Sequence, residues 1–89
     1  MPKIVLTLGN KVGLHARPAG ALVRVAKEHR ADIRVHHQDK EANGKSILSI
    51  LSLGAEKGAE VTVTAEGEDA DQALAAIRAL ADSNFGETE

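Results

Sequence analysis

Apolar and polar positions change period several times along the chain. Ile4, Leu6 and Leu8 alternate with Val5 and Thr7, which predicts a first strand. Residues 16 to 29 switch to helical spacing: Ala19, Leu22, Val23 and Ala26 form one apolar stripe, and Arg17, Arg24, Lys27 and Glu28 fall largely outside it. Alternation returns from Asp32 to His37, with Ile33 and Val35 on one face and Arg34 and His36 on the other. Gln38-Asp39 predicts a turn back through Lys40 to Asn43, and without a glycine that turn asks for positive φ at Asp39. Ser46 before Ile47-Leu48-Ser49-Ile50-Leu51 reads as the N-cap of a short helix that Gly54 stops. Val61, Val63 and Ala65 alternate with Thr62 and Thr64 in a last strand. Asp69 and Gln72 have the N-cap and N3 spacing of a capping box for a final helix, whose stripe is Ala70, Ala73, Leu74, Ile77, Leu80 and Ala81.

The order is β-α-β-β-α-β-α. Amphipathic helices need an apolar surface, and alternating strands offer one apolar face. The expected fold is α+β: a two-layer, open-faced β-sandwich whose four-stranded, mainly antiparallel sheet carries its helices on one face. The other face, with Arg34, His36, Thr62 and Thr64, meets water.

The 89 residues suit one domain over 1–89, with no linker or internal repeat. No cysteine is present, which rules out disulfides and thiolate metal sites. One aromatic residue, Phe85, is too few for a base-stacking surface, so direct nucleic-acid binding is not expected. No apolar run reaches the roughly 18 residues of a membrane span, and no signal peptide is visible; the expected location is cytoplasmic. The net charge of −2 hides an asymmetry: residues 1–65 hold ten cations against six carboxylates (+4), and residues 66–89 hold one against seven (−6).

The chemistry concentrates in Gly13-Leu14-His15-Ala16-Arg17-Pro18-Ala19. Pro18 suits a helix's first turn, which sets His15 at or beside the N-cap with the backbone N–H groups of Ala16 and Arg17 facing outward. Outward N–H groups, the positive end of the helix dipole and a guanidinium together suit a phosphate. The same field favours a neutral imidazole, whose lone pair is nucleophilic. An ordinary loop histidine or weak cap fits the spacing too. His36 and His37 are adjacent on a strand and face opposite sides, so no metal site and no cofactor are expected. His29 sits where a protonated ring favours a helix C-terminus.

This loop resembles the active-site signature of the HPr family, the histidine-containing phosphocarriers of the bacterial phosphoenolpyruvate:sugar phosphotransferase system. Lys45-Ser46-Ile47-Leu48 with Ser52-Leu53-Gly54 is similar to the family's regulatory-serine segment. Lys57-Gly58-Ala59-Glu60-Val61 and Glu66-Gly67-Glu68-Asp69 resemble the approach to and exit from its last strand. Two departures stand out: Val12, where relatives often carry a small polar residue, and Asp39, where a turn glycine is common. The resemblance implies a carrier rather than a free-standing enzyme. His15 takes the phosphoryl group on Nδ1 from phospho-Enzyme I and passes it to enzyme II A subunits, and Arg17 stabilises it. Ser46 matches the position modified by an HPr kinase/phosphorylase in some lineages.

Arg24 and Lys27, with Lys45 beside Ser46, read either as a solvated helix face or as a basic rim for acidic partners, and Ile47, Leu48 and Leu51 as an apolar docking patch. The alternative is a regulatory binding module, controlled at Ser46 and docking to a catabolite-control transcription factor or a metabolic enzyme. A small phosphate-chemistry enzyme is disfavoured, because no general base lies near His15 in sequence. A monomer suits a shuttle that exposes one site to successive partners, and Phe85 is expected to pin the last helix to the core.

Overall fold

A computed structural model describes residues 2–8, 16–56, 58–83 and 85. The elements are β1 (Lys3–Thr7), α1 (Ala16–Lys27), β2 (Asp32–His37), β3 (Lys40–Asn43), α2 (Ile47–Leu51), β4 (Glu60–Glu66) and α3 (Ala70–Asp82). The four strands form one sheet in the order β1-β4-β2-β3, and every pairing is antiparallel. β1 and β2 therefore run in the same direction with β4 inserted between them, a split β-α-β arrangement.

Strand register builds two faces from one alternation. Ile4, Val63, Val35 and Ala42 form a row across all four strands on the core side. Val5, Thr62, His36 and Glu41 form the neighbouring row on the open side. α1 contributes buried Ala19, Leu22, Val23 and Ala26 to the core, α2 contributes Ile50, and α3 contributes Ala70, Ala73, Leu74 and Ile77. Leu80 and Ala81 pack against this core half-buried, and Phe85 is only 4% exposed. On the open face Arg34 pairs with Asp32 at 3.2 Å and with Glu41 at 3.9 Å, and His36 Nδ1 lies 3.7 Å from Glu41. Exposed pairs of this kind contribute about 0–1 kcal/mol each.

Three local readings need correction. Positive φ in the hairpin falls on Gln38 (57°), not on Asp39. A two-residue turn with positive φ only at its first central position moves the strain one residue earlier. Glu28 and His29 leave the helical ladder: their N–H groups donate to Val25 and Ala26 three residues back, and α1 ends at Lys27. Asp69 occupies the N-cap position of α3, but its side chain makes no cap hydrogen bond, so the expected capping box is not formed. Its carboxylate accepts instead from Arg30 N and Ala31 N at 2.9 and 2.8 Å, where the chain turns from α1 into β2.

Candidate functional site

α1 opens at Ala16, the residue after His15 in the chain. His15 lies outside the described residues, as do Val12, Gly13, Leu14, Lys57, Glu87 and Glu89. Pro18 is buried in the first turn, where its missing N–H forfeits no helical bond. That burial orients the helix so that Ala16 and Arg17 stay exposed. Arg17, Gly20, Ala21 and Arg24 follow i, i+3, i+4, i+7 spacing and line one side of a cleft of about 470 Å³. Leu80 of α3 and Phe85 form its other side. Lys27, exposed one turn further on, extends the basic strip. The first turn of α1 thus combines N–H groups that lack intrahelical acceptors, the positive dipole end and an exposed guanidinium.

The second segment is built around Ser46. Gly44 N donates to Ile33 O at 2.7 Å, Ser46 N to Asn43 O at 3.1 Å and Lys45 N to Asn43 Oδ1 at 2.9 Å, which folds the chain tightly after β3. Ser46 is extended (φ −128°, ψ 117°), and its Oγ accepts from Ser49 N at 3.2 Å, the expected N-cap. Asn43 N in turn donates to Ser49 Oγ at 2.9 Å. With Ile50 fully buried, α2 turns Ile47 (43% exposed) and Leu48 (81% exposed) to solvent. Leu51 packs half-buried against the core and offers less surface than its two neighbours. Lys45 is half-buried and turned inward: its Nζ donates to His29 O at 2.7 Å.

Asp69 is the polar residue whose task the sequence did not reveal, because its partners lie 38 and 39 positions away. The Arg30 N–H, and secondarily that of Ala31, holds its carboxyl below the usual aspartate range against a smaller opposing effect of desolvation. His29, two residues beyond the end of α1, is tied back to that helix, with Nδ1 3.1 Å from Val25 O. A cleft of about 800 Å³ lies between the β2–β3 turn and the approach to β4, and none of the candidate site residues is among the described residues that line it. Among the described residues no cluster of three His, Asp or Glu side chains is placed to hold a metal ion. No helix among them is long and apolar enough to cross a membrane.

Comparison with known proteins gives a consistent result. A family model for the PTS HPr component phosphorylation site matches residues 3–83. The phosphocarrier protein HPr of Mycoplasma capricolum is 40% identical over 78 residues, 88% of either chain. The multiphosphoryl transfer protein of Salmonella typhimurium is 43% identical over 81 residues; the match covers 88% of this chain but 22% of that longer one. Among solved structures, an HPr from Thermoanaerobacter tengcongensis superposes with a TM-score of 0.95 at 40% identity, each chain covered in full.

Proposed function

This chain belongs to the HPr family of phosphotransferase-system phosphocarriers, and on that premise we propose that His15 carries the phosphoryl group. The supporting observation is the start of α1, where Ala16 opens the helix directly after His15 and exposed Arg17 lies in its first turn. In the transfer step the Nδ1 lone pair of neutral His15 forms an N–P bond as the bond between phosphorus and the donor histidine of Enzyme I breaks. The electron pair of the broken bond stays on the donor imidazole. The N–H groups of Ala16 and Arg17 and the guanidinium of Arg17 stabilise the equatorial oxygens, where charge gathers in the transition state. Reversal of the same step delivers the group to an enzyme II A subunit. The protein is then a macromolecular cosubstrate, not a catalyst with its own turnover.

Partner docking in this reading uses the strip from Arg17 through Arg24 to Lys27 together with exposed Ile47 and Leu48. Lys45 contributes less than its charge suggests, because its ammonium is engaged with His29 O. The monomeric chain acts in the cytoplasm. Ser46 supports a second, regulatory reading. An ATP-dependent HPr kinase/phosphorylase transfers the γ-phosphoryl group to its Oγ: the O–P bond forms, the bond to the bridging oxygen breaks and ADP leaves. The hydroxyl proton passes to a base of the kinase. The modified surface then docks to a catabolite-control transcription factor. At a helix N-cap the added charge is tolerated by the fold.

The test is incubation with phosphoenolpyruvate and purified Enzyme I, then separately with ATP and an HPr kinase, with the phosphate located by mass spectrometry under non-acidic conditions. Acid-labile label on His15 that is lost in His15→Ala supports the carrier. Label confined to Ser46 replaces it with the regulatory module.

A further inference from the structure

The exit of α1 is gripped from two sides. Beyond Lys27, the N–H groups of Glu28 and His29 close the last turn on Val25 O and Ala26 O at 3.0 and 3.2 Å. The His29 carbonyl, at the negative end of the helix, accepts from Lys45 Nζ at 2.7 Å. The next two N–H groups, of Arg30 and Ala31, are held by the Asp69 carboxylate. A cation and an anion thus fix the point where α1 turns into β2. The cation belongs to the residue immediately before Ser46.

We propose that Lys45 is a positioning residue that reports the state of Ser46 to α1. A phosphate on Ser46 Oγ draws the Lys45 ammonium away from His29 O and loosens the last turn of the helix that carries the basic strip. This rests on the reading of Ser46 as a modified residue. The competition is unequal: ammonium to a neutral carbonyl is charge-assisted on one side, whereas ammonium to a phosphate carrying about −1.5 to −2 charges is charge-assisted on both. Adjacency brings the groups within reach, since neighbouring Cα atoms stand about 3.8 Å apart and lysine has a four-carbon stem. The main chain is not free to follow, because Lys45 N is tied to Asn43 Oδ1 and Gly44 N to Ile33 O. The ammonium is therefore the part that moves. The cap from Ser49 N survives, because a phosphate ester keeps acceptor oxygens at that place. The consequence appears at Arg24 and Lys27, in the final turns of α1.

The test uses the full chain with phosphoserine incorporated at position 46 during translation, so that it needs no kinase. Amide hydrogen exchange at Glu28 and His29 and the His29 carbonyl ¹³C shift are measured with and without the phosphate, in the wild type, Lys45→Met and Lys45→Arg. Phosphoserine is expected to raise exchange at both amides at least threefold and to move the carbonyl shift in the wild type. Lys45→Met, which keeps the apolar stem, starts from the fast-exchanging state and does not respond. Lys45→Arg, which keeps a cation, recovers the response. Unchanged exchange and carbonyl shift in the phosphorylated wild type, or an equal response in Lys45→Met, would overturn the proposal. Failure of an ATP-dependent kinase to label Ser46 in the native chain counts against the modification reading alone.

Discussion

Gly44→Ala is a one-methyl change whose cost can be worked out from the structure. A Cβ at Gly44 would stand 2.6 Å from Ile33 Cγ2, 3.0 Å from Ile33 O and 3.1 Å from Ile33 Cβ. Ile33 cannot yield: it is β-branched, has no exposed surface and sits on β2, an interior strand of the sheet. The 43–46 turn must therefore lift, stretching the 2.7 Å bond from Gly44 N to Ile33 O. Overpacking of this kind costs about 1–3 kcal/mol, and a weakened buried hydrogen bond adds about 1 kcal/mol. A combined loss of about 3 kcal/mol, at about 4–8 °C per kcal/mol for a domain of this size, lowers Tm by about 12–24 °C. Gly20→Ala is the control. Nothing lies within 4 Å of its added methyl, and in mid-helix the change gains about 0.5–1 kcal/mol. Thermal and urea unfolding followed by circular dichroism measures both variants. A Gly44→Ala protein as stable as the wild type would refute the reasoning about close approach.

The depressed pKa of Asp69 implies that its stabilising contribution is complete above the unfolded-state value near 4 and disappears as pH falls through the lower folded value. Asp69→Asn should therefore flatten the acid limb of a plot of urea midpoint against pH, and superimposable limbs would contradict this. Ser46→Ala removes the acceptor of Ser49 N and should cost about 1 kcal/mol, seen as a Tm lower by about 4–8 °C. Arg17→Ala, at an exposed position, should leave Tm nearly unchanged yet slow phosphoryl transfer about tenfold or more in rapid-quench assays. An unchanged rate would remove Arg17 from the mechanism.

Elements that declare themselves by period were legible in the sequence. The stripe Ala19, Leu22, Val23, Ala26 and the alternation of Val61, Val63 and Ala65 depend only on spacing, and each is buried as expected. Strand order was not legible, because insertion of β4 between β1 and β2 depends on pairings between residues as distant in the chain as Lys3 with Thr64 and Asp32 with Glu66. The partners of polar side chains were not legible where a distant backbone group engages them. Asp69 has the local spacing of a cap, but the N–H groups of Arg30 and Ala31 take its carboxylate. Lys45 has the charge of a docking residue, and its ammonium also engages the His29 carbonyl, just beyond the end of α1. The site itself was read from type and order, with a helix dipole, an arginine and a histidine converging on one loop. Its described half, Ala16 and Arg17, lies at the exposed start of α1.

The measurement that bears most directly on the central claim is stepwise transfer of labelled phosphate. Wild type and His15→Ala are charged from phosphoenolpyruvate by Enzyme I, isolated, and mixed with an enzyme II A subunit. The account predicts one acid-labile phosphate per wild-type chain, on His15, that passes to the acceptor, and no charging of the variant. Charging of His15→Ala, or a phosphate on the wild type that never leaves it, would contradict the account.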